Sequence, residues 1–250
     1  MEGMRREGWS FEHHNAYADL YNDPLNLRVG RFYVPFGLNV QTDTHGALLQ
    51  LSNERYFGFE RDWYAGLYGT LGERMGYDAH YLVGSGYDLK YRGQRGLGVG
   101  RLNLGNKYSF EHGLEGGLSF AAGERLAPGP TKTTRYGLDG RYRQTIPTGL
   151  LTWTSELSAG TDALDDVLTQ LYQSDYLHGS RRWGFAGQYR KFWKRRSGTD
   201  GSLIGEASWY FRNDVGNSNL HWIKVNVERQ LERVGIPKDL IFALQYYRYW

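Results

Sequence analysis

The chain has 250 residues, 40% of them hydrophobic, with 30 Lys and Arg against 27 Asp and Glu for a net charge of +3. That near-balance leaves no electrostatic footprint for nucleic acid, and no run is long and apolar enough for a helical membrane span. The absence of cysteine excludes disulfides, thiolate catalysis and cysteine metal sites. With 34 Gly, 20 Tyr and 8 Trp but only 6 Pro, the composition suits a β-protein with aromatic bands.

In chain order, the first strands are expected at 9–20, 27–34, 62–71 and 75–83, with a long segment, 35–61, between the second and third. A connection at 84–95 leads to strands at 96–104 and 108–121, joined by a Gly105-Asn106-Lys107 turn. The Gly96-Leu97-Gly98-Val99-Gly100 run looks like a phosphate loop, but no helix follows, so it reads as a strand. A loop at 123–130 precedes a strand at 135–146. There Tyr136, Leu138, Gly140 and Tyr142 alternate with Arg135, Asp139, Arg141 and Arg143.

After the turn at 147–149, Leu151, Trp153, Leu157 and Ala159 begin the next strand's apolar face. Segment 167–177 also fits a helical stripe, but strand parity favours a strand. Segment 182–193 alternates Trp183, Phe185, Gly187, Tyr189, Lys191 and Trp193 against Arg182, Gly184, Ala186, Gln188, Arg190 and Phe192. Segment 203–212 repeats the pattern with Leu203, Gly205, Ala207, Trp209 and Phe211 against Ile204, Glu206, Ser208, Tyr210 and Arg212. Further connections fall at 178–181, 195–202, 213–219 and 232–238. In the closing strand, 239–250, Leu240, Phe242, Leu244, Tyr246 and Trp250 alternate, interrupted by Arg248.

Strands of about ten residues with a dyad repeat and aromatic ends match a lipid-facing band between girdles, whereas a β-sandwich shares only the alternation. The expected fold is one all-β domain over 1–250, an antiparallel transmembrane β-barrel of about 13 strands. Longer connections sort to the outer side and shorter ones to the periplasmic side. An odd count leaves first and last strands running the same way, and no apolar export segment follows Met1. The chain is therefore expected to lack its N-terminal part.

The run Leu27-Arg28-Val29-Gly30-Arg31-Phe32-Tyr33-Val34-Pro35-Phe36-Gly37-Leu38 resembles the G-x-F-x-x-P-F-G stretch of the phosphate-selective porin O and P family. Asn53-Glu54-Arg55, Arg61-Asp62-Trp63-Tyr64-Ala65-Gly66-Leu67 and Tyr77 to Gly86 are similar to segments of the same family, and the likeness covers about 27–122. It implies a sixteen-stranded trimeric outer-membrane porin from which about three strands are missing, with 35–61 as the constriction loop. The family's phosphate sites use a lysine cluster, whereas this segment carries Arg55 and Arg61 with Glu54 and Glu60 and no lysine.

With the aromatic faces outward, Arg28, Arg55, Arg61, Arg135, Arg141, Arg143, Arg182, Arg190 and Arg212 are the expected pore-lining residues. Arg outnumbers Lys 23 to 7, and guanidinium suits bidentate contact with phosphate or carboxylate, favouring an anion path. Glu111, Glu115, Asp139, Glu156, Glu206 and Glu228 share the inward faces, so the arginines have an alternative use as braces of the wall. His13-His14 point to opposite faces of a strand and make a poor metal pair. No Ser/His pairing supports an enzyme, and no cofactor is implied.

The expected function is passive diffusion of small hydrophilic solutes, with a modest anion preference, across a bacterial outer membrane. Expected partners are outer-membrane lipid and lipopolysaccharide, the barrel assembly machinery through the strand ending in Trp250, and two further copies in a homotrimer. Lys191, Lys194, Arg195 and Arg196 with Trp193 form a basic patch suited to anionic headgroups rather than nucleic acid. The alternative is a sleeve for a partner protein or exported polymer. A folded-in 35–61 favours the porin, and an empty wide lumen the sleeve.

Overall fold

A computed structural model describes residues 15–22, 24–38, 56–86, 91–105, 113–127, 129–214, 219–233 and 239–249. Among the described residues, thirteen strands form one sheet in sequence order, every neighbour antiparallel. They are β1 Ala16–Leu20, β2 Asn26–Tyr33, β3 Arg61–Leu71, β4 Met75–Leu82, β5 Gly96–Leu104, β6 Gly113–Leu126 and β7 Pro130–Ile146. There follow β8 Gly149–Asp162, β9 Asp165–His178, β10 Trp183–Lys194, β11 Gly198–Asp214, β12 Asn219–Arg233 and β13 Leu240–Tyr249. β1 and β13 run in the same direction, so these two edges cannot meet as antiparallel neighbours.

The ambiguous segment near 167–177 is a strand, β9, with Val167, Thr169 and Leu171 on one face. The glycine run at 96–100 is likewise strand, within β5. The turn expected at 105–107, His13-His14, Glu111 and Trp250 lie wholly or partly outside the described residues.

The connections differ from expectation. β6 continues to Leu126 and β7 starts at Pro130, so the loop expected at 123–130 shrinks to 127–129. The connections at 163–164 and 195–197 are similarly short, and loop length separates the two ends of the sheet less clearly than the sequence suggested. Strands of up to 17 residues exceed the roughly 9–11 that cross a bilayer. The excess strand takes up residues that read as loop.

Burial along the strands is inverted relative to a water-soluble sheet. In β7, Arg135 is 0% and Asp139 5% exposed, whereas Tyr136 is 61% and Leu138 55% exposed. The same inversion runs from Glu115 against Leu114 and Leu118 in β6 to Glu228 against Val225 in β12. Side chains two apart share a face, so one face of the whole sheet is charged and sheltered and the other apolar and open. A soluble sheet buries its apolar side; this one suits apolar surroundings outside and a polar interior.

An apolar cluster occupies one part of the sheltered face. Tyr64, Leu82, Leu97, Val99 and Ala121 from β3 to β6 pack with Val34, Phe36, Tyr56, Phe57 and Phe59 from the two ends of the connection between β2 and β3. Residues 34–38 and 56–60 thus lie on the inner wall, while 39–55, including Arg55, fall outside the described residues.

Candidate pore lining and its charge network

The chain leaves β2 through Pro35-Phe36-Gly37, and each residue type has a local reason. Proline offers no donor to a strand ladder. The Phe36 ring sits where a side chain on Gly137 would stand, with a Cβ there only 2.7 Å from the ring. Gly37 has φ +62, and a Cβ on it would meet the Glu156 carboxylate at 2.7 Å, so glycine is needed for conformation and for space. This geometry lets the Gly37 N–H donate to Ser119 Oγ at 3.0 Å and the Leu38 N–H to Glu156 Oε1 at 2.5 Å. Both acceptors are buried on the inner wall.

Beside this anchor, the inner wall carries charged groups towards both ends and at mid-height. Near one end of the strands, Asp162 of β8 accepts from Arg125 of β6 at 2.6 Å and Lys194 of β10 at 3.0 Å, with Arg135 of β7 at 3.8 Å. Thr133 adds a hydroxyl at 3.1 Å. Arg135 also donates to the carbonyls of Thr134, Thr161 and Tyr56, tying the wall to the inserted segment.

At mid-height, Arg101 of β5 makes a bidentate pair with Asp139 of β7 and donates to Ser119 and Asn103. Across the lumen-facing rows, Arg190 donates to Ser202 Oγ at 2.6 Å and Glu228 at 3.0 Å. Towards the other end, Glu115 Oε1 receives Arg141 at 3.3 Å and Arg143 at 3.0 Å, and Lys224 pairs with Glu206 at 3.1 Å. Arg28 pairs with Asp19 at 2.7 Å, its guanidinium over the rings of Tyr17, Phe32 and Tyr68.

The charge groups are unequal. Arg101–Asp139, Arg190–Glu228 and Lys224–Glu206 balance, whereas Asp162 gathers three cations and Glu115 two. Surplus positive charge therefore sits on the wall near the Asp162 end of β8, whereas at the β6–β7 pair Arg141 also feels the Glu156 and Asp175 carboxylates. Charge on a low-dielectric wall acts on the adjoining path more strongly than in open water.

Of the expected pore-lining arginines, Arg28, Arg135, Arg141, Arg143 and Arg190 stand on the sheltered face, each beside a carboxylate. Three others stand elsewhere. Arg61 opens β3 on the row of Trp63 and Ala65, buried against Glu60 and Tyr33. Arg182 lies exposed in the turn before β10. Arg212 follows a register shift after Tyr210, which places it opposite His221, exposed and off the row of Glu206 and Ser208. The extra residue of a bulge reverses the alternation, which a strict two-residue count cannot foresee.

Sequence reading missed Arg101 and Arg125 and assigned Lys194 to the rim. Arg101 shares its row with Leu97 and Val99, so that row reads as apolar; those two residues face inward because the inserted segment covers them. Arg125 fell within a presumed loop. The signal available for Arg125 was Glu124 and Lys132, which stand opposite each other across β6 and β7.

No family model matches the chain, and no curated protein matches it. Among solved structures it is similar to the anion-selective porin from Comamonas acidovorans, with a TM-score of 0.64 and 10% identity. That match covers 96% of this chain and 75% of the porin. The likeness, joined to the thirteen antiparallel strands of a single sheet, shows the fold of this chain to be that of a β-barrel porin.

Proposed function

We propose that the chain forms a bacterial outer-membrane porin through which small hydrophilic solutes diffuse, with a modest preference for anions. The observation that carries this reading is the charged inner wall with residues 34–38 and 56–60 folded onto it. A wall of this kind passes water-soluble solutes, and a connection laid along it narrows the path. Segment 35–61 is then the constriction loop. A sleeve for a partner protein needs a wide lumen, which the inserted segment disfavours.

The anion preference rests on the surplus cations around Asp162, and the anion-selective neighbour is consistent with it. Descent shared with the phosphate-selective porins is supported by the Gly30 to Gly37 stretch, whose Pro35, Phe36 and Gly37 make the turn onto the wall. The solute class proposed is small anions in general, and assembly as a trimer belongs to the same reading. The remaining wall arginines brace the barrel, since each is held by a carboxylate across one or two strands.

Reversal potentials across a planar bilayer in a KCl gradient test the function. The expected result is a modest anion preference that falls as salt rises and the Debye length shortens from about 10 Å at 0.1 M to about 3 Å at 1 M. A cation preference at both concentrations refutes the anion reading, and the absence of any conductance refutes the porin.

A further inference from the structure

In a sheet whose aromatic side chains belong on the outer face, one aromatic row faces inward. Tyr210 of β11 stands opposite Trp222 of β12, and Trp222 opposite Tyr247 of β13. Tyr210 shares the inner row of Glu206 and Ser208 because the register shift of β11 comes after it. Trp222 is buried, edge-to-face with Tyr247 at 4.0 Å between centroids, and the half-buried Tyr210 and Tyr247 offer the accessible ring surface. The row lies at the end of the sheet away from Asp162.

Polar groups border it on the same three strands. Ser208, Lys224 and Gln245 form the next inner row, and Glu206 and Asn226 stand opposite each other in the one after. Glu206 Oε1 receives Lys224 at 3.1 Å and Ser208 Oγ at 3.2 Å. Glu206 Oε2, Asn226 Nδ2 and Gln245 Oε1 are buried with no hydrogen-bond partner among the described residues, and Glu206 is only 7% and Asn226 5% exposed. Buried polar atoms of this kind are rare, and each calls for an explanation. Two acceptors and a donor beside ring surface suit hydroxyl groups, which both donate and accept. Three strands by three rows span about 10 Å by 13 Å at strand spacing and rise.

We infer that this patch binds an uncharged disaccharide, its rings along Tyr210 and Tyr247 and its hydroxyls on Glu206, Asn226 and Gln245. The local charges choose the occupant. Glu206 Oε2 and Asp175, which shares its row across Ala186, oppose an anion. Lys224 already fills the place of a cation, against Glu206 and 5.5 Å from the centroid of the Trp222 ring. A purely apolar solute leaves three polar atoms unmet. The inference deepens the porin reading by naming one class of solute, and rests on that reading for access from the lumen.

Titration calorimetry of the detergent-solubilised full chain with maltose, and with maltose 1-phosphate as its charged counterpart, tests it. Wild-type protein is expected to bind maltose saturably and the phosphate at least about tenfold more weakly, the cost of like charges side by side. Tyr210→Ala with Tyr247→Ala weakens maltose binding about tenfold. Asn226→Leu, or Gln245→Leu as a second variant, weakens it roughly 2- to 13-fold, the scale of one neutral hydrogen bond. Trp209→Phe, on the outer face, leaves it unchanged.

Absence of saturable maltose binding by the wild type overturns the site. Equal or tighter binding of the phosphate overturns it too, as does unchanged affinity in the tyrosine pair and both leucine variants. Chloride conductance across a planar bilayer is recorded on the same samples. Conductance without maltose binding sinks this inference alone. Maltose binding that the variants weaken, in a chain that passes no current, upholds the site and removes the porin reading.

Discussion

Glu156→Ala removes the carboxylate that receives the Leu38 N–H at 2.5 Å, on a residue only 5% exposed. A hydrogen bond to a charged group contributes about 1.5–3 kcal/mol and a neutral one about 0.5–1.5 kcal/mol. At alkaline pH, where the carboxylate is ionised, the substitution should therefore raise the population with Leu38 detached by roughly 10- to 150-fold. Glu156→Gln, which keeps an acceptor of similar shape without charge, loses about 1 kcal/mol, or roughly fivefold. Ser119→Ala, which removes the neutral partner of the Gly37 N–H, belongs at the lower end of that range. Hydrogen exchange followed by mass spectrometry on a peptide covering 34–38 reads the effect as amide exchange that is fastest in Glu156→Ala, slower in Glu156→Gln and slowest in the wild type. If exchange in that peptide is the same in Glu156→Ala as in the wild type, the buried carboxylate does not hold the segment on the wall.

Replacing Arg141 and Arg143 together with Glu, which leaves Glu115 among like charges, should shift the KCl reversal potential towards cation preference; an unchanged potential assigns both arginines to bracing. Asp162→Asn, which relieves three cations of their carboxylate, should raise anion preference, and Lys194→Gln should lower it, both measured in the same bilayer assay at 0.1 and 1 M salt. Single cysteines in liposomes should react with a water-soluble thiol reagent at position 141 and be protected at 138, and the opposite pattern reverses the faces. Leu138→Arg, placing a cation on the outer face, should cost about 2–4 kcal/mol at the midplane, read as a lower midpoint in urea refolding into lipid.

Alternation alone determined most of the fold. In β7 and β10 the two-residue repeat separates Tyr136, Leu138 and Tyr142 from Arg135, Asp139 and Arg141, and Phe185 and Tyr189 from Gln188 and Arg190, because a strand turns successive side chains to opposite faces. The same rule placed Leu240, Phe242, Leu244 and Tyr246 outward on β13. Tertiary structure decided what such local counting cannot see. A register shift moved Arg212 off the inner row, and the inserted segment turned Leu97 and Val99 into inward residues. Arg125 reached Asp162 two strands away, and Arg101 reached Asp139 likewise. These pairings join residues 37 and 38 positions apart, so they depend on which strands lie side by side and in what register, a property of the whole hydrogen-bonded sheet rather than of any one segment.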